Sequence, residues 1–164
     1  MNPLPPRPSL ALIVATEVLL GALFVVGLAA MFLLPSMAGA LSEDFPEYAH
    51  LRGTLLAIAM IFTTLGLVAV GIVALLVHRI YRGTVLTGRS ILWVDTLVAT
   101  IAGAVVTVAI GFVVVSNGQA GSPIIALTQT LTGLALIAVA CVTLVLRSLL
   151  RNAITMHAEL DKVV

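Results

Sequence analysis

Three acid or amide residues stand inside stretches otherwise made of apolar residues and threonine: Glu17, Asp95 and Gln129. Glu17 lies seven residues into the first such stretch, roughly 10 Å along a helix from its start. An acid at the centre of a membrane helix costs about 2.5–3.5 kcal/mol on insertion scales, and less off-centre. Such a residue is expected to be paired or functional, facing the helix bundle and not lipid. Three readings stand for Glu17: a structural acid, protonated or hydrogen-bonded to a neighbouring helix; a proton- or cation-coupled site; or a side chain that snorkels to the interface. Polar neighbours are expected from the third or fourth helix or from a second copy. Asp95 falls in the first turns of its helix, where an acid complements the macrodipole. Gln129 sits in the run Thr128, Gln129, Thr130, Thr132, Gly133. These groups can bond across helices or to their own backbone.

Other candidates are weaker. Glu43, Glu47 and His50 share one face if that segment is helical. The spacing Glu47-x-x-His50 occurs in di-metal carboxylate bundles, which need two such motifs and two further acids. This chain has one, so only a dimer could complete such a site, and no metal or other cofactor is expected. GTVLTGRS at 83–90 imitates a phosphate loop with Arg89 in the lysine position. That loop needs a strand before it, and an apolar helix precedes it here. Cys141 lies within the fourth run, where apolar burial is expected to leave its thiol inert. No nucleophile–base constellation and no basic-aromatic surface for nucleic acid is visible, so neither an enzyme nor a direct nucleic-acid binder is expected.

The elements that carry these residues are four long apolar runs: 10–34, 54–77, 91–115 and 124–146. Each is long enough to cross the ~30 Å hydrocarbon core of a bilayer as a helix. The 164-residue chain is 61% hydrophobic and 9% charged, with mean hydropathy +1.23. A soluble domain carries about 25% charged residues. The reading is therefore an all-α integral membrane four-helix bundle, with residues 1–164 as one transmembrane domain and an amphipathic extension over 147–164. Seven of the eight basic residues fall before the first run, between the second and third, or after the fourth; Arg52 is the exception. The positive-inside rule then predicts a multi-pass protein of the cell (inner) membrane with both termini cytoplasmic. The three arginines between runs two and three suit anionic headgroups.

Local signals refine the elements. Four prolines within residues 1–8 exclude helix there, and Ser9 is an N-cap candidate. The first helix is expected to stop at Pro35. Asp44, Pro46 and Glu47 form a capping-box pattern that predicts a second helix starting near Phe45. Tyr48 and Trp93 are expected at the two interfaces. The length of the first run, ~25 residues against 7–15 for a signal-peptide core, argues against a cleaved leader ending at Ala38–Ala40. Ala99, Gly103, Thr107 and Gly111 form a small-residue stripe that permits close helix approach. With no proline after Pro123 and no glycine after Gly133, the fourth helix is predicted to run on to about Glu159. Leu149, Ala153, Met156 and Leu160 continue an apolar seam with heptad spacing. That face is either packed on this protein or the membrane surface, or docked by a partner helix.

EYAHLR at 47–52, RGTV at 82–85 with Trp93-Val94-Asp95 after it, and LRSLL…AELDKVV from Leu146, taken in order, are similar to a known pattern. The whole chain resembles the bacterial membrane family called domain of unknown function 2975, and most closely its actinobacterial members. The resemblance implies a four-helix membrane fold and no catalytic or ligand residue. Its members are often encoded beside a small Cro-like helix-turn-helix regulator, which implies such a regulator as partner. The leading expectation is an interaction or regulatory protein acting through its cytoplasmic C-terminal helix. The alternative is an oligomeric small transporter or channel subunit, a homo-oligomer using Glu17 and the polar residues of the fourth helix.

Overall fold

The computed structural model describes residues 10–44, 46–81, 88–118 and 123–160. They form α1 (Leu10–Asp44), a short 3-10 helix (Pro46–Leu51), α2 (Arg52–Tyr81), α3 (Gly88–Asn117) and α4 (Pro123–Leu160). The architecture is an all-α four-helix bundle, as the four apolar runs predict. Each helix contains a stretch long and apolar enough to cross a membrane: Val14–Ala40, Ala49–Arg79, Leu92–Asn117 and Pro123–Leu149. Backbone groups in hydrocarbon must be paired internally, and uninterrupted helices do this.

Two boundaries differ from the sequence expectation. α1 does not stop at Pro35 but runs through it to Asp44. Proline removes one backbone donor, and in apolar surroundings the chain keeps its remaining helical bonds because water offers no substitute. The hydroxyl of the adjacent Ser36 donates to the Leu33 carbonyl at 2.8 Å. Asp44 therefore ends α1 and does not cap α2. The chain turns through the 3-10 helix, and α2 begins at Arg52.

Among the described residues, extensive packing of the long helices joins consecutive ones: α1 on α2, α2 on α3 and α3 on α4. The bundle alternates in direction. Glu17 meets His78, Arg79 meets Trp93 and Asp95 meets Arg147 at the end where α1 begins. At the other end, Arg52 lies over Gly39 and Leu51 lies against Gly118.

α3 supplies most of the core. Val94, Thr100, Ile101, Ala104, Thr107, Gly111 and Val115 are buried, as are Ile72 of α2 and Thr143 of α4. The spacing follows a helical face turned toward neighbours on both sides. The small-residue stripe contributes as expected: Gly103 lies against Leu65, and Gly111 between Ile58 and Gln129. Ala99 of that stripe is exposed instead. The buried threonines bond back to their own helix, Thr100 to Thr96, Thr107 to Gly103 and Thr143 to Val139, so no donor is stranded.

α1 is the least covered helix, with none of its candidate span buried. Phe32 at 83% exposure and Leu127 of α4 at 70% typify outward faces that a bilayer would cover. Cys141 is also exposed on α4, and is not buried among protein side chains. Its place in the fourth run follows the apolar pattern, but it falls on the helix face turned away from α3.

Candidate functional site

Helix direction places Glu17 early in α1 and His78 late in α2, so the antiparallel hairpin sets them side by side. Glu17 Oε1 and His78 Nδ1 are 3.3 Å apart. The side chains are 42% and 48% exposed. Glu17 thus finds its partner on α2, not on α3 or α4 as expected from the sequence. Among the described residues of the four α-helices, α2 is the one that packs extensively on α1. His78 went unnoticed in the sequence because it ends an apolar run close to the basic loop.

A groove of about 510 Å³ opens between α1 and α2 directly beside this pair. Leu20, Phe24, Val70 and Leu75 give it apolar walls, and Gly21 and Gly71 line it without side chains. Glu17 and His78 close its polar end.

Asp95 does not join Glu17. Its carboxylate accepts from Nε of Arg147, tying α3 to α4. Between these two pairs, the Arg79 guanidinium lies 5.7 Å from the centroid of the Trp93 ring, a cation–π contact between α2 and α3. Among the described residues, a polar contact thus joins each pair of consecutive helices at the end of the bundle where α1 begins. Trp93 spends its ring on this contact at the level where an interfacial residue is expected. The side chain of Tyr48 lies outside the described residues.

Gln129 is separate again. It sits on α4 in the other half of the bundle, on a crevice of about 210 Å³ between α2, α3 and α4. Thr107, Thr128 and Thr132 share that crevice. The hydroxyls of Thr128, Thr130 and Thr132 donate to the carbonyls of Ile124, Ala126 and Thr128, each at 2.8 Å. They satisfy their own helix and do not bridge to another. Glu17, Asp95 and Gln129 are thus three places, not one intramembrane site.

Glu43, Glu47 and His50 do not lie on one continuous helix, because Glu43 belongs to α1 and the other two to the 3-10 helix. Among the described residues, no three His, Cys, Asp or Glu side chains group as a metal site would require. Most of the GTVLTGRS segment lies outside the described residues. α4 continues without a break to Leu160, as the absence of proline and glycine predicts. Its Leu149 is 59% exposed. The side chains of Ala153, Met156 and Leu160 lie outside the described residues.

Four apolar spans close together in sequence, with the pairs Glu17–His78 and Asp95–Arg147 at one end, define a multi-pass membrane protein. The family model described as "protein of unknown function (DUF2975)" matches residues 36–164, and the chain belongs to that family. The match takes in His78, Asp95, Arg147 and all of α4; Glu17 precedes it. No curated protein and no solved structure matches the chain.

Proposed function

We propose that this protein is a non-catalytic membrane anchor whose α4 extension docks a soluble partner. One observation carries the reading. α4 has 38 residues, about 57 Å at helical rise. A bilayer with its headgroups is about 40–45 Å thick. The apolar run of α4 ends at Leu146, before Arg147, and the helix runs fourteen residues further to Leu160. Helical length outside the span does nothing for insertion. The sequence of that extension keeps Leu149, Ala153, Met156 and Leu160 at heptad positions, a pattern that suits one partner helix.

The distribution of basic residues supports a cytoplasmic location for both termini, and hence for the extension. A cell-membrane anchor with a cytoplasmic helix fits a small helix-turn-helix regulator, the partner that the family resemblance implies. Docking of such a regulator at the membrane would hold it away from DNA.

Co-purification from mild detergent tests the reading. The full chain is expected to retain a soluble partner that the double variant Met156→Asp, Leu160→Asp loses, with membrane insertion unchanged. Equal retention by both proteins would contradict it.

A further inference from the structure

We propose that the groove between α1 and α2 binds a hydrophobic organic cation, with its positive charge at Glu17. This goes beyond the docking role of α4 and does not depend on it.

Two glycines leave the space open. Helical glycines cost roughly 0.5–1 kcal/mol each relative to alanine. Gly27 has a packing reason for that cost, since a Cβ there would stand 2.7 Å from Leu67 Cδ2. Gly21 and Gly71 have none: a Cβ at either position meets nothing within 4 Å. Both line the groove, and their missing side chains keep it open. Its volume, about 510 Å³, falls in the range of small-molecule pockets, ~300–1,000 Å³.

The walls and the polar end specify the occupant. Leu20, Phe24, Val70 and Leu75 take an apolar body, and Phe24 adds an aromatic surface that suits a cation. From Glu17 to Phe24 is seven residues, about 10 Å of helix, which fits a compact molecule better than a full lipid tail. At the end stands an acid. Among the described residues its contact is through Oε1 to His78, and Oε2 accepts no hydrogen bond. The other charged groups at this level are engaged across the bundle: Arg79 against Trp93, and Asp95 with Arg147. A carboxylate beside an apolar groove stabilises positive charge and repels negative charge. A bound cation would replace the His78 ring as the counter-group of Glu17. One wall of the groove is α1, the least enclosed helix, and entry is lateral, from the bilayer.

The test uses the full chain in nanodiscs of zwitterionic phospholipid and two ions of one shape and opposite sign. Tetraphenylphosphonium is expected to bind saturably in equilibrium dialysis, and tetraphenylborate is not. Glu17→Gln is expected to weaken phosphonium binding by about tenfold or more, the ratio that about 1.4 kcal/mol represents. Gly71→Leu, which fills the groove and leaves Glu17 in place, is expected to abolish it. Equal binding of the two ions by the unaltered protein would overturn the proposal, as would binding that survives either substitution at full strength.

Discussion

Glu17 and His78 stand 61 positions apart in the chain and meet at 3.3 Å, carboxylate oxygen to ring nitrogen, across the α1–α2 hairpin. Each side chain is more than two-fifths exposed. Exposed ion pairs contribute up to about 1 kcal/mol, and side-chain bonds between membrane helices average about 0.6 kcal/mol. A double-mutant cycle with Glu17→Ala and His78→Ala, read by chemical unfolding in detergent, is expected to give coupling no larger than about 1 kcal/mol. Coupling of about 3 kcal/mol or more would make the pair a structural lock, and would weaken the case that a ligand can exchange for His78.

Asp95 and Arg147 make the equivalent contact between α3 and α4. Asp95→Ala and Arg147→Ala are each expected to lower the unfolding temperature in detergent by about 2–4 °C. The exchange Asp95→Arg with Arg147→Asp is expected to recover most of that loss, because the two positions stay adjacent. Identical losses in the single variants and the exchange would show that the contact contributes nothing through charge.

The α1–α2 interface separates two kinds of glycine. Gly27→Leu drives a side chain into Leu67, already in contact with any Cβ at position 27. Overpacking of this type costs about 1–3 kcal/mol. Gly71→Leu meets open space and is expected to leave stability unchanged or raised by up to about 1 kcal/mol. Unfolding measurements on the two variants check the contrast, and equal destabilisation would mean that the groove is closed in the folded protein.

Much of this fold is legible in the chain. The four apolar runs give the four spans, the stripe at Gly103, Thr107 and Gly111 gives the face of α3 that meets its neighbours, and the lack of breakers gives the length of α4. Pro35 misleads because proline ends helices in water, where freed backbone groups are solvated, and is tolerated in apolar surroundings. The pattern at Asp44, Pro46 and Glu47 marks a true chain turn but assigns it to the wrong side: Asp44 closes one helix before it can open another. His78 is invisible to local reading, because its role needs the register of a hairpin. A signal for it does exist. Glu17 and His78 lie almost equally far from the 46–51 turn, and Asp95 and Arg147 almost equally far from the 119–122 segment. Pairing polar residues by their distance from a turn identifies both contacts, and places Gln129 with neither.

Orientation is open to chemical labelling. In a Cys141→Ser background, Asn117→Cys stands at the end of α3 away from the termini and Asn152→Cys on α4 beyond its span; both positions are exposed. A membrane-impermeant maleimide added to intact cells is expected to label position 117 at once and position 152 only after permeabilisation. The reverse pattern would put the α4 extension outside the cell and remove the cytoplasmic docking role.

The central claim is that α4 carries a docking face past the membrane. Photo-crosslinking from position 156 in living cells tests it most directly. With a benzoylphenylalanine in place of Met156, irradiation is expected to yield an adduct with one soluble cytoplasmic protein, and the same probe at exposed Phe32 of α1 is expected to yield none. Adducts from position 156 with lipid alone, or with this chain alone, would contradict the account.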